Sequence, residues 1–204
     1  MKNKIILFIS ISVFACVSMP LTTSDNTNVP TQEEIILPTQ TQIVSLPTQE
    51  VEMKFEITSP AFSAGGPIPV KYSCKGSDIT PALTWSEPPA GTQSFALILD
   101  DPDSPSGTWV HWVMFNIPAS ARGLPENIPT DPQLSDGSLQ GRTSAGTSGY
   151  HGPCPPSGIH RYFFKLYALD TMLSLPASAN KEKVLAAMES HILANVELMG
   201  TFSH

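Results

Sequence analysis

Residues 94–117 read SFALILDDPDSPSGTWVHWVMFNI, two apolar runs joined by a turn rich in aspartate, proline and serine. The runs Ser94–Leu99 and Trp109–Ile117 are almost continuously apolar, which is typical of central strands buried on both faces. The prolines between them fix the backbone of the turn. This stretch therefore predicts two neighbouring strands of a buried sheet, with carboxylates at the point where the first strand ends.

The turn Asp100–Pro105 carries the first candidate site residues, Asp101 and Asp103. Because the turn is stiffened by proline, these carboxylates lose little further entropy when they are held facing the next strand, where His111 is the candidate partner. Strict alternation along that strand defines two faces, made of Trp109, His111 and Val113 and of Val110, Trp112 and Met114. Alone, such a stretch is most often a simple turn, and a strand histidine is more often a core residue than a ligand-binding group.

Residues 150–162 read YHGPCPPSGIHRY, a proline-rich loop that leads directly into a third apolar run, Arg161–Leu169. Glycine lets a ligand approach the backbone closely, and proline stiffens the loop. Histidine, arginine and tyrosine side chains donate hydrogen bonds. By alternation His160 and Tyr162 share a face, whereas Arg161 points away and is interpreted as a structural residue that pairs with one of the aspartates.

Two histidines, two aspartates and a tyrosine at the ends of neighbouring strands form a polar spot in an apolar sheet. Such a spot requires partners or a ligand to offset its desolvation. Protonated imidazole and a tyrosine hydroxyl suit a phosphate, and a carboxylate suits an ammonium group. The two clusters together therefore predict a pocket for a small anionic ligand that also carries hydroxyls or an amine.

The rest of the domain is predicted to be mainly β. Further strands are predicted at Phe55–Thr58, Ile68–Tyr72 and Leu83–Trp85, and a last apolar segment at Val196–Phe202. The stretch from 118 to 157 is a long loop rich in glycine, proline, serine and aspartate, and loops of this length in compact domains are usually functional or partly disordered.

One helix is predicted over Lys181–Ile192, because Val184, Leu185, Met188 and Ile192 fall on one helical face. Either Ser178 or Asn180 is expected to cap it. Many strands with helical content late in the chain indicate a β-sandwich-like core with peripheral helices.

The N-terminal quarter is not expected to belong to the fold. Residues 1–16 combine two lysines with a short apolar run, which is typical of an export signal. The order Val13-Phe14-Ala15-Cys16 resembles the lipobox of bacterial lipoproteins, so lipidation at Cys16 is favoured slightly over ordinary signal cleavage. Residues 17–52 repeat the phrase Pro-Thr-Gln and are interpreted as an extended tether. The folded domain is therefore predicted over 53–204, in an exported protein of the cell envelope or periplasm.

The chain is acidic, with a formal net charge of −7. Removal of Lys2 and Lys4 with the signal takes away two positive charges and leaves −9. This charge argues against nucleic acid as a partner and against general attraction to anionic membranes. Membrane contact is expected only through the N-terminal lipid anchor, and any anion must be held by local donors.

Three cysteines are present, and processing at Cys16 leaves Cys74 and Cys154 as an even pair. An exported protein occupies a compartment that permits oxidation. One disulfide and two separate reduced cysteines are equally compatible with the sequence.

The two clusters, taken together, resemble the signature of the phosphatidylethanolamine-binding protein family, in particular its bacterial Raf-kinase-inhibitor-like branch. The resemblance spans roughly 53–204 and includes residues 72–85, YSCKGSDITPALTW, residues 89–97, PAGTQSFAL, and residues 198–202, LMGTF. It implies a large antiparallel sheet packed on a smaller one, with an anion pocket at the sheet's end. Family members bind phosphate, phosphoethanolamine head groups or similar anions there.

Carried over position by position, the resemblance implies a set of pocket residues: Asp101, Asp103, Pro105, His111, Gly152, Pro153, His160 and Tyr162, with Trp109 and Tyr150 at the rim. The chain departs from the bacterial pattern in two places. Gly141-Arg142-Thr143-Ser144 stands where Gly-Arg-Asn-Asp is common, and His151 stands where glycine is common. The edge of the loop is therefore expected to differ in shape or charge.

Three functions compete at this point. A binding module without covalent chemistry ranks first. Relatives that inhibit serine proteases suggest a second function, the blocking of an extracellular protease by exposed loops. Hydrolysis ranks last, because the sequence contains neither a Gly-x-Ser-x-Gly elbow nor a His-Glu-x-x-His helix. The chain is therefore not expected to be an enzyme, and no cofactor or metal is predicted.

Overall fold

The computed structural model describes residues 54–204. The predicted signal over 1–16, the tether over 17–52 and Cys16 lie outside the described residues. The regular elements are β1 (Ile57–Thr58), a short 3-10 helix (Val70–Tyr72), β2 (Leu83–Trp85), β3 (Ser94–Asp101), β4 (Trp109–Pro118), β5 (Gly123–Leu124), β6 (Leu139–Gln140), β7 (Ile159–Leu169), α1 (Lys181–Met188) and β8 (Ile192–Ser203).

The strands form two antiparallel sheets. The larger sheet has the order β6-β4-β3-β7-β8, and the smaller has the order β1-β2-β5. One hydrophobic cluster joins the two sheets, with Leu83 and Trp85 from the smaller one packed among Leu97, Trp112 and other side chains of the larger one. This architecture confirms the predicted mainly β fold, with a large antiparallel sheet packed on a smaller one.

The opposite face of the larger sheet is covered by α1. Val184 and Met188 of the helix are fully buried, and they belong to a second cluster with Ile98, Val113 and Phe115. The larger sheet is therefore buried on both faces, which explains why its central strands are continuously apolar. All eight residues of β3 are buried, including the two aspartates at its end.

A β-bulge interrupts the pairing of β3 with β4 next to the predicted site. Leu99 lies opposite Trp112, but Asp100 lies opposite Val110, so His111 is an extra residue on β4. As a result Val110 and Val113 pack in the same cluster, whereas Trp112 and Met114 pack in the other. The prediction of strict alternation along this strand is therefore wrong at Val110.

One of the shorter predicted strands is wrong and another is shorter than predicted. The predicted strand Ile68–Tyr72 is irregular and ends in the 3-10 helix, because Pro67 and Pro69 lack the N–H groups that a strand would use. Only Ile57–Thr58 of the predicted first strand is paired.

The helix ends at Met188 and not at Ile192 as predicted, and the chain then turns so that Ile192 begins β8. Among the described residues no helix is both long and apolar enough to cross a membrane.

The structure decides between the two candidate caps of the helix. The side chain of Asn180 accepts a hydrogen bond from the backbone N–H of Lys183, whereas Ser178 lies outside the helix start. We therefore expect Asn180→Ala to lower the free energy of unfolding by about 1 kcal/mol. Ser178→Ala is the matched control and should leave it unchanged. Urea unfolding of both variants measures the difference, and equal losses in the two would contradict the assignment.

Candidate functional site

The two polar clusters meet at one end of the larger sheet. β3 lies between β4 and β7 and runs antiparallel to both, so its end is next to the start of each neighbour. Asp101 at the end of β3 lies opposite Trp109, and its carboxylate contacts His160 at the start of β7. The predicted convergence of the two clusters is therefore what the fold produces.

A cavity of about 410 Å³ opens at this end of the sheet. Six of the ten predicted pocket residues line it, namely Asp101, Pro105, Trp109, His111, Gly152 and His160. The remaining lining residues were not predicted to lie there as site residues: Cys74, Asp78, Ser104, Ser106, Ala145, His151, Cys154 and Pro156. Asp103, Tyr150, Pro153 and Tyr162 do not line it.

His111 is held rigidly in the wall of this pocket. Its Nδ1 donates a hydrogen bond to the carbonyl oxygen of His151 at 2.8 Å, and its ring stands edge-on against Tyr162. Burial lowers the pKa of His111, although the contact with the carbonyl of His151 partly opposes this. The neutral imidazole with its proton on Nδ1 presents Nε2 as an acceptor.

His160 is oriented by Asp101. Its Nδ1 donates to Asp101 Oδ2 at 2.7 Å, and Asp101 Oδ1 accepts from the backbone N–H of Asp103 at 2.9 Å. Both carboxylate oxygens of Asp101 therefore have protein partners, and the residue is 3% exposed. Its role is to fix the ring of His160 and the turn that follows β3, and the second ring nitrogen of His160 has no hydrogen-bond partner among residues 54–204.

Asp103 pairs with Arg161. The guanidinium donates from Nε to Asp103 Oδ2 at 2.9 Å and from a terminal nitrogen to Oδ1 at 2.7 Å. The hydrogen bond from Arg161 lowers the pKa of Asp103 to about 2. The structural interpretation of Arg161 is confirmed. The prediction that Asp103 lines the pocket is wrong, because its carboxylate is engaged by Arg161 outside the cavity.

Removal of this guanidinium should raise the pKa of Asp103. In Arg161→Met we expect it to rise from about 2 towards the ordinary value of roughly 3.9. Because the folded-state pKa is depressed, the pair stabilises the fold above pH 4 and this contribution disappears as pH falls towards 2. Carboxyl NMR titration measures the pKa. In the control Arg142→Met, whose side chain contacts Gly146, the value should stay near 2, and an unchanged pKa in Arg161→Met would refute the assignment.

Three other predicted residues lie behind the wall and not in it. Tyr150 is buried against Trp112 and donates its hydroxyl hydrogen to the carbonyl of Tyr72 at 2.7 Å, so it is not at the rim. Tyr162 is fully buried beneath His111, and its hydroxyl makes no hydrogen bond of ordinary geometry within the described part of the chain. Burial raises the pKa of Tyr162. Pro153 is buried and accepts from Cys74 N–H.

A disulfide joins Cys74 to Cys154 and forms part of the pocket wall. Next to it, Asp78 Oδ1 accepts from the backbone N–H of Gly152 at 2.6 Å. Gly152 has no room for a side chain, because a Cβ there would lie 2.3 Å from the carbonyl oxygen of Tyr72. Sequence reasoning left Asp78 out of the site, and pairing the two cysteines would have supplied the signal, since it brings residues 74–78 to residues 152–154.

The loop edge that departs from the bacterial pattern is anchored to β4. Ser144 Oγ accepts from Val110 N–H at 2.9 Å, and Ser144 N–H donates to the carbonyl of Val110. The side chain of His151 pairs with Thr147, with 2.6 Å between Nε2 and Oγ1. These contacts hold residues 143–151 beside His111, and Ala145 becomes part of the pocket wall.

Comparison with known proteins agrees with this geometry. A family model described as phosphatidylethanolamine-binding protein matches residues 58–203. The chain belongs to the phosphatidylethanolamine-binding protein family. The resemblance stated from the sequence is thereby confirmed, and the end-of-sheet cavity is the candidate site of a family member.

Relatives of this family member come from bacteria and archaea. A UPF0098 protein of Methanothermobacter thermautotrophicus is 55% identical over 142 residues, which cover 70% of this chain and 94% of the relative. The solved structure of CT736 from Chlamydia trachomatis, a phosphatidylethanolamine-binding protein homologue, is 43% identical with a TM-score of 0.68, covering 74% and 97% of the two chains. YbcL of Escherichia coli is 33% identical with a TM-score of 0.69, covering 74% and 98%.

The pocket of this phosphatidylethanolamine-binding protein family member is lined by acidic and imidazole side chains. The ionisable side chains in its lining are two carboxylates, on Asp78 and Asp101, and three imidazoles, on His111, His151 and His160. Neither lysine nor arginine occurs among these lining residues. The lining therefore has no side chain with a permanent positive charge.

Proposed function

We propose that this protein is an exported binding protein whose pocket holds a small phosphate-bearing ligand, either phosphate itself or a phospholipid head group. The proposal rests on one observation. His111 and His160 line the same cavity, and each ring uses Nδ1 for a protein contact, which leaves the other ring nitrogen for a ligand. The hydroxyls of Ser104 and Ser106 lie in the same wall, 3.2 Å apart and hydrogen-bonded to each other, so one of the two hydrogens remains for a ligand.

The mixture of carboxylates and imidazoles makes binding dependent on protons. A phosphate monoanion can donate its own hydrogen bond to Nε2 of neutral His111, whereas a dianion cannot. A protonated imidazole would favour either form through a charge-assisted hydrogen bond. We therefore expect phosphate affinity to fall as pH rises from 6 to 8.

Asp78 gives the pocket a second, cationic preference. One of its oxygens accepts from Gly152 N–H, and the described residues give the other oxygen no partner. An ammonium group on the ligand can pair with this carboxylate while the phosphate occupies the histidines. Phosphoethanolamine should therefore bind more tightly than phosphate, and Asp78→Asn should remove most of this difference.

Histidine NMR tests the proposal directly. Addition of phosphate or phosphoethanolamine at pH 6 is expected to shift the ring signals of His111 and His160 at concentrations up to about 1 mM. His191 lies outside the pocket, where it pairs with Asp170, and serves as the internal control. The proposal would be abandoned if His111 and His160 moved no more than His191.

Export and lipidation at Cys16 are a separate part of the proposal. They are supported by the signal-like segment over 1–16 and by a disulfide compatible with an oxidising compartment. Cell fractionation and the mass of the mature N-terminus test them. A Cys16→Ala chain should lose any added lipid mass, and an unprocessed chain in the cytosol would contradict export.

Protease inhibition stays the alternative that the sequence suggested, and hydrolysis stays the function ranked last. The exposed loop at 143–147 closes on itself, with Thr143 N–H and Oγ1 both donating to the carbonyl of Thr147. No feature of the described residues favours protease inhibition or hydrolysis over binding. Inhibition assays against a panel of serine proteases, and turnover assays with ester and phosphate substrates, address each one.

A further inference from the structure

A second cavity, of about 430 Å³, opens on another part of the surface. Its apolar floor presents the partly buried Leu134 and the edges of Leu124 and Ile128, which are 5% and 8% exposed, and Met114 and Ile117 lie fully buried beneath it. It shares no lining residue with the pocket that contains the histidines. Its volume is within the range of ordinary small-molecule sites, and its floor is apolar as such sites usually are.

The side chains that border this apolar floor are acidic or neutral. Asp131 and Asp136 line the cavity and are exposed, and neither makes an ion pair within the described part of the chain. One oxygen of Asp136 accepts from Ser138 N–H, which fixes the side chain, and the second oxygen has no hydrogen-bond partner among the residues from 54 onwards. No lysine, arginine or histidine occurs in the lining. The charged side chains of the lining are therefore the two carboxylates, in a chain whose formal net charge is −7.

The wall of the cavity is held in place by a buried glutamine. Gln140 is fully buried, and its Nε2 donates to the carbonyl oxygens of Pro129 at 2.6 Å and of Asp131 at 2.8 Å. Its Oε1 accepts from Trp112 Nε1 at 2.7 Å. Ile128 N–H donates to Thr80 Oγ1 at 2.9 Å. Because these bonds fix the loop through protein contacts alone, binding would require little further ordering of the loop.

We propose that this cavity is a second binding site, for a small amphipathic cation. An alkyl chain would lie against Leu124, Ile128 and Leu134, and the ammonium head would lie beside Asp131 and Asp136. Apolar burial supplies attraction for any alkyl ligand, and the two unpaired carboxylates select the cation over a neutral or anionic ligand of the same length. This inference is independent of the proposed phosphate site.

The test compares three probes of equal chain length, hexylammonium, hexanol and hexanoate. The methyl NMR signals of Met114, Ile117, Leu124 and Ile128 in the full chain report binding. We expect hexylammonium to shift them at concentrations up to about 10 mM and to bind roughly tenfold more tightly than hexanoate, with hexanol between them. Phosphate should not move these methyl signals.

Substitutions test the contribution of the carboxylates and the location of the site separately. Asp131→Asn combined with Asp136→Asn keeps the acceptor for Ser138 N–H and should reduce hexylammonium affinity to that of hexanol. Glu182→Gln, which removes a carboxylate from α1 instead, is the matched control and should change nothing. Ser135→Trp, at an exposed position of the lining, should block all three probes. The proposal is overturned if the methyl signals do not respond to hexylammonium, or if hexanoate binds as tightly.

Discussion

Removal of the Cys74–Cys154 disulfide is expected to lower the free energy of unfolding by about 2–4 kcal/mol. The bond joins residues 80 positions apart, so its loss releases a large loop in the unfolded chain. For a domain of this size the melting temperature should fall by roughly 5–15 °C. Thermal unfolding of the double variant Cys74→Ser, Cys154→Ser measures the effect.

The same variant should keep its ligand pocket. Cys74 N–H donates to the carbonyl of Pro153, and Gly152 N–H donates to Asp78, so the two loops remain joined after the sulfur atoms are separated. Wild-type protein reduced with a dithiol is the control, and its melting temperature should equal that of the double variant. A melting temperature within about 1 °C of oxidised wild type would show that the disulfide has little effect on the unfolded chain.

The central strands could be predicted because a strand that is buried on both faces has a continuously apolar sequence. β3, β4 and β7 are covered on both faces, so each reads as an apolar run, and the predicted bounds differ from the observed ones by two residues or fewer. The bulge at His111 was not predictable, since it depends on how two strands pair and leaves no local signal. The end of α1 was missed for a similar reason, because Ile192 continues the helical pattern but pairs with Leu169 in the sheet.

The position of the site could be predicted from the sequence. Which of its residues reach the cavity and which lie beneath the wall could not. Alternation correctly put His160 and Tyr162 on the same side of β7, but only the packing shows that His160 reaches the cavity and Tyr162 lies beneath it. Asp78 enters the wall through a contact between residues 74 positions apart. Such a contact depends on the whole fold, and no local sequence pattern around Asp78 predicts it.

The two neighbouring aspartates at the end of β3 have different partners on the two faces of the sheet. Asp100 is buried on the helix side, where it accepts from Lys181 Nζ at 2.7 Å and Lys165 Nζ at 3.1 Å. Asp101, the next residue, faces the pocket and holds His160. Adjacent residues of a strand point to opposite faces, so one Asp-Asp pair anchors α1 and the pocket together.

Asp101→Ala is therefore expected to weaken phosphate binding by roughly tenfold to a hundredfold, provided that the pocket binds phosphate as proposed. Alanine would remove the acceptor for His160 Nδ1, so the ring would no longer be fixed towards the cavity. It would also release Asp103 N–H and with it the turn that carries Ser104 and Ser106. Titration calorimetry at pH 6 measures the affinity.

Asp101→Asn separates the two effects of this substitution. Its side-chain oxygen can still accept from Asp103 N–H, but its amide replaces the carboxylate oxygen that faces His160, so the turn is kept while the imidazole loses its anionic partner. The ¹⁵N shift of His160 Nδ1 reports that partner without any ligand, and it should change in both variants. Asp103→Ala, which removes the Arg161 pair outside the cavity, is the control and should bind phosphate within about threefold of wild type. If the His160 signal moved in Asp101→Ala and the affinity did not, the orientation of His160 would be irrelevant to binding, and the phosphate would have to be held by other groups of the wall.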